Sequence, residues 1–210
     1  KQLLLKKATT NSSKATLDEI DDLVKDYKES LLINKYKEEL VKQQLDTIIS
    51  DNEISEYYNS NKQNFRLNEE LIKIKYLHFG NDITDEKEFE ELFKSDDIED
   101  LEKLEEYQLN FKSYRFNDST WVTLDRILLK LPFEKKNLLK KTKFIQKQDS
   151  LGIYLATIKD VLQRNDIAPL SHIKSSVEQM ILHKRKVELI RNIEEILVKD
   201  ATENNNFKTY

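Results

Sequence analysis

Three histidines, no cysteine and two glycines bound the chemistry open to this 210-residue chain. Without thiolates there is no zinc ribbon, iron–sulfur cluster, thiol nucleophile or disulfide framework. His172 and His183 fall eleven residues apart on one helical pattern, a separation of ~16 Å along the axis. They cannot share a metal, and His78 sits on a different element. All three read as surface or packing side chains. Gly80 and Gly152 are too few and too scattered for a phosphate-cradling loop or a dinucleotide fingerprint. Asp96-Asp97 with Glu99-Asp100 lacks the spacing and the glycine of a calcium loop, and suits the acidic first turn of a helix instead. Acids abound, but no pair is singled out for proton transfer. Serines such as Ser12 and Ser13 have no nucleophile-elbow context. No cofactor and no metal is expected.

The aromatic set is more informative. Tyr57, Tyr58, Phe65, Tyr76, Phe79, Phe111, Tyr114, Phe116, Trp121, Phe144 and Tyr154 crowd the middle of the chain. Most belong to a core, and those that line a groove would bind by contact area rather than by bond chemistry. Charge argues in the same direction. Lys and Arg total 35 against 39 Asp and Glu, for a net charge of −4. The lysines interleave with acids along helical patterns and arginines are few, which disfavours nucleic acid as a partner. No run of ~20 apolar residues occurs, so no membrane-spanning helix is expected.

The elements that must position these residues follow from periodicity. Residues 1–14 are polar and without period and read as a frayed tail. A long helix is expected from Thr16, capped with Glu19, its apolar positions Leu17, Ile20, Leu23, Val24, Tyr27, Leu31, Tyr36, Leu40, Val41, Leu45 and Ile48 keeping a 3.6-residue period. Ser50 and Glu53 open a short helix through Tyr58. Leu71 to Phe79 alternates in steps of two, as a strand does, and closes at Gly80-Asn81-Asp82. Helices are expected at 84–94 and 97–111, and a weaker one from Ser119 to the break at Pro132. Residues 143–147 and 152–161 pair as a hairpin. Asn165 to Pro169 reads as a linker, and a second long helix runs from Leu170 to Asn204 with an apolar stripe too wide for one partner.

The flanks resemble SurA-type periplasmic chaperones with a parvulin domain. The run Ile48-Ile49-Ser50-Asp51-Asn52-Glu53-Ile54-Ser55-Glu56-Tyr57-Tyr58, followed by Asn64-Phe65, is similar to the segment leading into that domain. Ile72 to Leu77 stands where the first parvulin strand would be. Pro169 to Lys174 and Lys184 to Ile190 resemble the family's returning helix. Lysine-, asparagine- and isoleucine-rich usage suits a Bacteroidetes-like version. At the centre the likeness fails in an informative way. The two histidines of active parvulins fall on Tyr76 and Tyr154, and the glycine-rich turn is replaced by Asn117-Asp118-Ser119-Thr120-Trp121.

The resemblance therefore implies an α+β fold. Long N- and C-terminal helices pack together (residues 15–68 with 168–205), and a small degenerate parvulin-like unit (69–167) is inserted between them. It pairs Leu23, Tyr27, Leu31 and Leu40 with Val177, Met180, Ile181 and Leu189. It implies a holdase for unfolded outer-membrane or exported proteins, with no catalytic residue and with Tyr76, Trp121, Tyr154, Leu31 and Met180 contacting the client. The implied location is the periplasm, with any lipid anchor on a cysteine upstream of Lys1. Two other readings stay open: a prolyl isomerase with an altered site, and a fixed subunit of an envelope assembly complex.

Overall fold

The central strand explains most of the architecture. In the computed structural model, which describes residues 1–83, 86–141 and 144–204, β1 (Leu71–Phe79) is almost continuously buried. Strands buried on both faces lose the simple inside–outside alternation. Its lysines are accommodated individually. Lys75 is 5% exposed, donates to the Ser95 carbonyl at 3.1 Å and sits 5.1 Å over the Phe93 ring. Lys73 lies 4.9 Å over the ring of Trp121.

The antiparallel sheet runs β2-β1-β5-β4, with β2 (Phe111–Arg115), β4 (Ile145–Asp149) and β5 (Gly152–Leu162), while β3 (Val122–Thr123) pairs with the start of β1. Register places Tyr76 opposite Ala156 and His78 opposite Tyr154. One face carries Ile72, Ile74, Tyr76, Tyr154, Ala156 and Ile158, covered by Leu124 and Ile127 of α6 (Leu124–Leu128), by Leu131 and Phe133, and by Leu138 of α7 (Lys135–Leu138). The other carries Leu77, Phe79, Ile153 and Leu155 under Phe89 and Phe93 of α4 (Glu86–Lys94) and Leu104 of α5 (Ile98–Glu106).

Residues 165–169, expected as a linker, are instead clamped. Leu67 N–H donates to Asp166 O at 2.9 Å, Asn165 N–H to Leu67 O at 2.8 Å and Ala168 N–H to Phe65 O at 2.8 Å. The Tyr58 hydroxyl of α3 (Asp51–Asn61) donates to Ala168 O at 2.8 Å. Asn165 makes the turn at φ 72°, a left-handed conformation that asparagine tolerates.

Contacts divide the chain after Ser50 and after Val177 into two units, not at 68/69 and 167/168. Tyr58 and the 65–168 clamp, together with Lys174 paired to Asp51 at 2.6 Å, hold α3 and the first turns of α8 (Leu170–Glu203) within the sheet unit. The helical unit contains α1 (Gln2–Asn11), α2 (Lys14–Gln44), an extended stretch at 45–50 and α8 from Glu178 on. There Lys37 pairs with Glu194. Arg185 donates to the carbonyls of Asp46 at 2.8 Å and Ile48 at 2.9 Å, which fastens the extended stretch to α8. The fold is α+β, with long terminal helices and a small antiparallel sheet.

Several local expectations need correction. Residues 1–14 are not a tail, since α1 is helical with Leu3, Leu4 and Leu5 exposed. The cap of α2 is Ser13, whose Oγ accepts from Thr16 N–H at 3.2 Å, so the helix starts one turn earlier than a Thr16 cap would place it. The helix expected at 97–111 ends at Glu106, and the chain turns through Gln108–Asn110 into β2. Thr84, Asp85 and Lys143 lie outside the described residues. Among the described residues no helix is long and apolar enough to cross a membrane.

Candidate functional site

Tyr76, expected on the sheet, lines a cavity. The space, about 570 Å³, is bounded by Tyr76 and Val122 at its base, by Tyr114, Arg115, Phe116 and Asn117 from β2 and the residues after it, by Glu105, and by Arg126, Ile127, Leu129 and Lys130 of α6 and its end. Its aromatic wall is ordered, because the Tyr114 and Phe116 rings stack at 5.0 Å with 25° between planes. The Tyr114 hydroxyl is held against Gln108 Oε1 at 2.6 Å. Arg115 is anchored through Nη2 to the Thr120 carbonyl at 3.4 Å and to its hydroxyl. Its Nε is buried with no hydrogen-bond partner.

Tyr154 shares the core face with Tyr76 but does not line that cavity. It stacks on His78 with ring centroids 3.9 Å apart and 15° between planes. Burial, and then the neighbouring Asp149 carboxylate to which its hydroxyl is hydrogen-bonded, push the Tyr154 phenol above its ordinary range. The His78 imidazole is pushed below its ordinary value, first by burial and then by the Lys112 ammonium; a hydrogen bond with the Leu151 backbone and the Asp149 charge oppose this. His78 Nε2 is buried without a partner. Beneath the pair, Asp149 Oδ1 accepts from Leu151 N–H at 2.7 Å and Gly152 N–H at 3.2 Å and so fixes the β4–β5 turn.

Trp121 goes elsewhere. It packs in a third apolar cluster with Phe65, Leu67, Leu71, Ala168 and Ile173. Tyr76, Tyr154 and Trp121 therefore do not line one groove, because Val122 and Thr123, not Trp121, pair with β1 and carry the chain across the sheet. A more polar cleft of about 710 Å³ lies around Lys75, Asp96, Asp118 and Lys159. Its charges are partly neutralised, with Lys159 bonded to Asp118 at 2.9 Å.

In the helical unit Leu31 is 51% and Met180 44% exposed. The register expected between the arms shifts. Ile33, Tyr36 and Leu40 of α2 face Ile190, Ile193 and Leu197 of α8 across an apolar groove of about 410 Å³, with Lys37 and Glu194 also lining it. Leu23, Tyr27 and Leu31 stay open to solvent. Val177 falls in the sheet unit. Sequence reasoning missed Arg115, Arg126 and Lys130 of the cavity because it read through β2. His172 and His183 lie on α8 and His78 on β1. Among the described residues no group of three or more His, Asp or Glu side chains is placed to hold a metal ion.

No protein-family model matches the sequence, and no curated protein does. Solved structures similar to the chain include these three. One comes from a description of the virulence factor PEB4 and the periplasmic protein Cj1289 of Campylobacter jejuni as structurally related SurA-like chaperones; it shares 15% identity over 100% of this chain and 81% of that one, with a TM-score of 0.36. PrsA from Bacillus subtilis shares 14% identity over 92% and 72%, with a TM-score of 0.26. The peptidylprolyl isomerase PrsA from Bacillus anthracis shares 16% over 100% and 88%, with a TM-score of 0.22. TM-scores this low set no residue-by-residue correspondence, so the site stands on its own geometry.

Proposed function

We propose that this chain is a holdase-type chaperone that binds unfolded polypeptides through its helical unit, without efficient prolyl isomerisation. The observation that carries the reading is apolar surface left uncovered on long helices. Not one residue of the 31-residue α2 is buried, and Ile20, Leu23, Val24, Tyr27, Leu31 and Leu32 are all exposed along it. The groove from Ile33 to Leu40 against Ile190 to Leu197 extends that surface with a concave apolar floor. Contiguous exposed apolar area of this kind marks an interaction surface. Its shallow form suits many small contacts and fast release rather than one fixed partner. Periplasmic location and outer-membrane-protein clients belong to this reading through the sequence resemblance.

The test is suppression of aggregation of a urea-diluted outer-membrane β-barrel by the purified protein. Suppression is expected at near-stoichiometric ratios and should weaken several-fold in Ile193→Lys and in Leu31→Lys. Leu31 is exposed and Ile193 half-buried where it lines the groove, so circular dichroism, expected unchanged, is recorded for both variants. Absence of suppression, or suppression indifferent to both substitutions, would remove the holdase reading. A single stoichiometric partner in pull-downs would then favour the assembly subunit.

A further inference from the structure

The chain is acidic overall, yet its cavity beside Tyr76 is lined by three cations, Arg115, Arg126 and Lys130, and one acid, Glu105. Among the described residues, no ion pair or side-chain hydrogen bond is found for Arg126 or Lys130. Both are exposed on the cavity rim, while the Arg115 guanidinium, tied to Thr120, keeps a buried Nε unsatisfied. Some cations elsewhere on this protein are matched, as Lys37 is by Glu194, Lys135 by Glu70, Lys141 by Asp160 and Lys174 by Asp51. Unmatched positive charge gathered around an apolar, aromatic-walled space is complementary to an occupant carrying both a carboxylate and a ring. The backbone geometry adds the shape of that occupant. β2, which supplies Tyr114 and Arg115 to the cavity, is an edge strand that pairs with β1 on one side only. An edge strand offers a row of backbone donors and acceptors to an extended segment, and alternate side chains of that segment then fall on one face.

Resting on the polypeptide-binding reading, we infer that the sheet unit selects acidic, aromatic-containing segments of its clients, added in extended form along β2. The aromatic ring enters between the Tyr114–Phe116 stack and Ile127. Carboxylates flanking it meet Arg126 and Lys130 at the rim. The selection is electrostatic and surface-exposed, so it is modest and screened by salt.

The test uses the full chain and three fluorescein-labelled nonapeptides with one aromatic pattern, flanked by Glu, Gln or Lys, read by fluorescence anisotropy. At about 50 mM salt the Glu peptide should bind about tenfold more tightly than the Lys peptide. The gap should narrow to about twofold at 300 mM. Arg126→Glu combined with Lys130→Glu, both at exposed positions, should abolish or reverse the preference while leaving the circular dichroism unchanged. Hydrogen exchange should slow in residues 111–116 when the Glu peptide is bound. Equal or better binding of the Lys peptide, a preference that survives the double substitution, or protection confined to other segments would each overturn the inference. If no peptide binds but aggregation is still suppressed, this inference fails and the holdase reading stands. If suppression is absent as well, both fail.

Discussion

Gly152 opens β5 at φ +148°, a region that residues with a side chain rarely occupy. A Cβ built there would lie 2.0 Å from the Phe79 carbonyl oxygen, 3.0 Å from its carbon and 3.1 Å from His78 Nε2. The obstructing atoms are backbone of the strand paired with β5, where Phe79 lies opposite Ile153. Relief therefore requires moving β1 away from β5. Backbone strain of about 1–3 kcal/mol and overpacking of about 1–3 kcal/mol sum to a cost of about 4 kcal/mol for Gly152→Ala. With a urea slope of about 2 kcal/mol/M, the Cm should fall by about 2 M. Gly80→Ala is the control. Its nearest obstruction, at 2.3 Å, is Asp82 Oδ1, the end of a side chain that can swing into solvent, so a loss under about 1 kcal/mol is expected. Urea titration followed by the fluorescence of the single tryptophan, Trp121, which is packed within the sheet unit, reads both variants. Equal Cm shifts for the two would refute the steric account of the turn.

Other outcomes follow from individual contacts. Because burial lowers the His78 pKa below its ordinary 6.5, the unfolded chain takes up this proton first as pH falls. The His78 contribution is complete above pH 6.5 and is lost as pH falls through the lower folded value. In His78→Phe, urea midpoints between pH 7.5 and pH 5 should show a shallower decline than in the parent, and an unchanged decline would sink the assignment. Tyr58→Phe leaves the Ala168 carbonyl without its donor and should cost about 1–2 kcal/mol in the same urea assay; a loss too small to measure would mean that the clamp does not need this bond. On a short Xaa-Pro peptide the protein should leave isomerisation near its uncatalysed timescale of about 10–100 s, and an acceleration abolished by Tyr76→Phe would contradict the binding-only reading.

What could be read in advance was whatever repeats along the chain. β1 was legible to the residue because a strand has a period of two and turn chemistry follows at Gly80-Asn81. The two long helices and the β4–β5 hairpin were legible for the same kind of reason. β2 was not, since Phe111–Arg115 is five residues long and follows an acidic helix whose period runs almost into it. Of the three cations of the cavity, Arg126 and Lys130 lie four residues apart at α6 and its end, and Arg115 joins them from β2, where it pairs with Tyr76. A residue brought in by strand register, as Arg115 is, leaves no local spacing to read. The groove of the helical unit was half legible. The apolar stripes were visible, but their partners were displaced toward the C-terminal end of α8, where Lys37 meets Glu194.

Tyr76 and Tyr154, which the sequence resemblance aligns with the family's histidines, have different surroundings, and the difference supports the proposed reading of binding without catalysis. Tyr154 is committed to the core: its ring is stacked on His78 and its hydroxyl is turned toward Asp149 beneath a fixed turn. A phenol held this way, with its pKa raised, neither gives up nor accepts a proton near neutral pH. Tyr76 is 3% exposed and lines the cavity. An isomerase must stabilise a twisted amide more than a planar one against a barrier of ~18–20 kcal/mol, which demands oriented polar groups around the bond. The cavity instead carries the cations Arg115, Arg126 and Lys130, of which Arg115 alone is tied in place, around the apolar side chains of Tyr76, Val122 and Ile127. Such a surface holds planar and twisted amides alike, and uniform binding of that kind retains a polypeptide without accelerating its isomerisation.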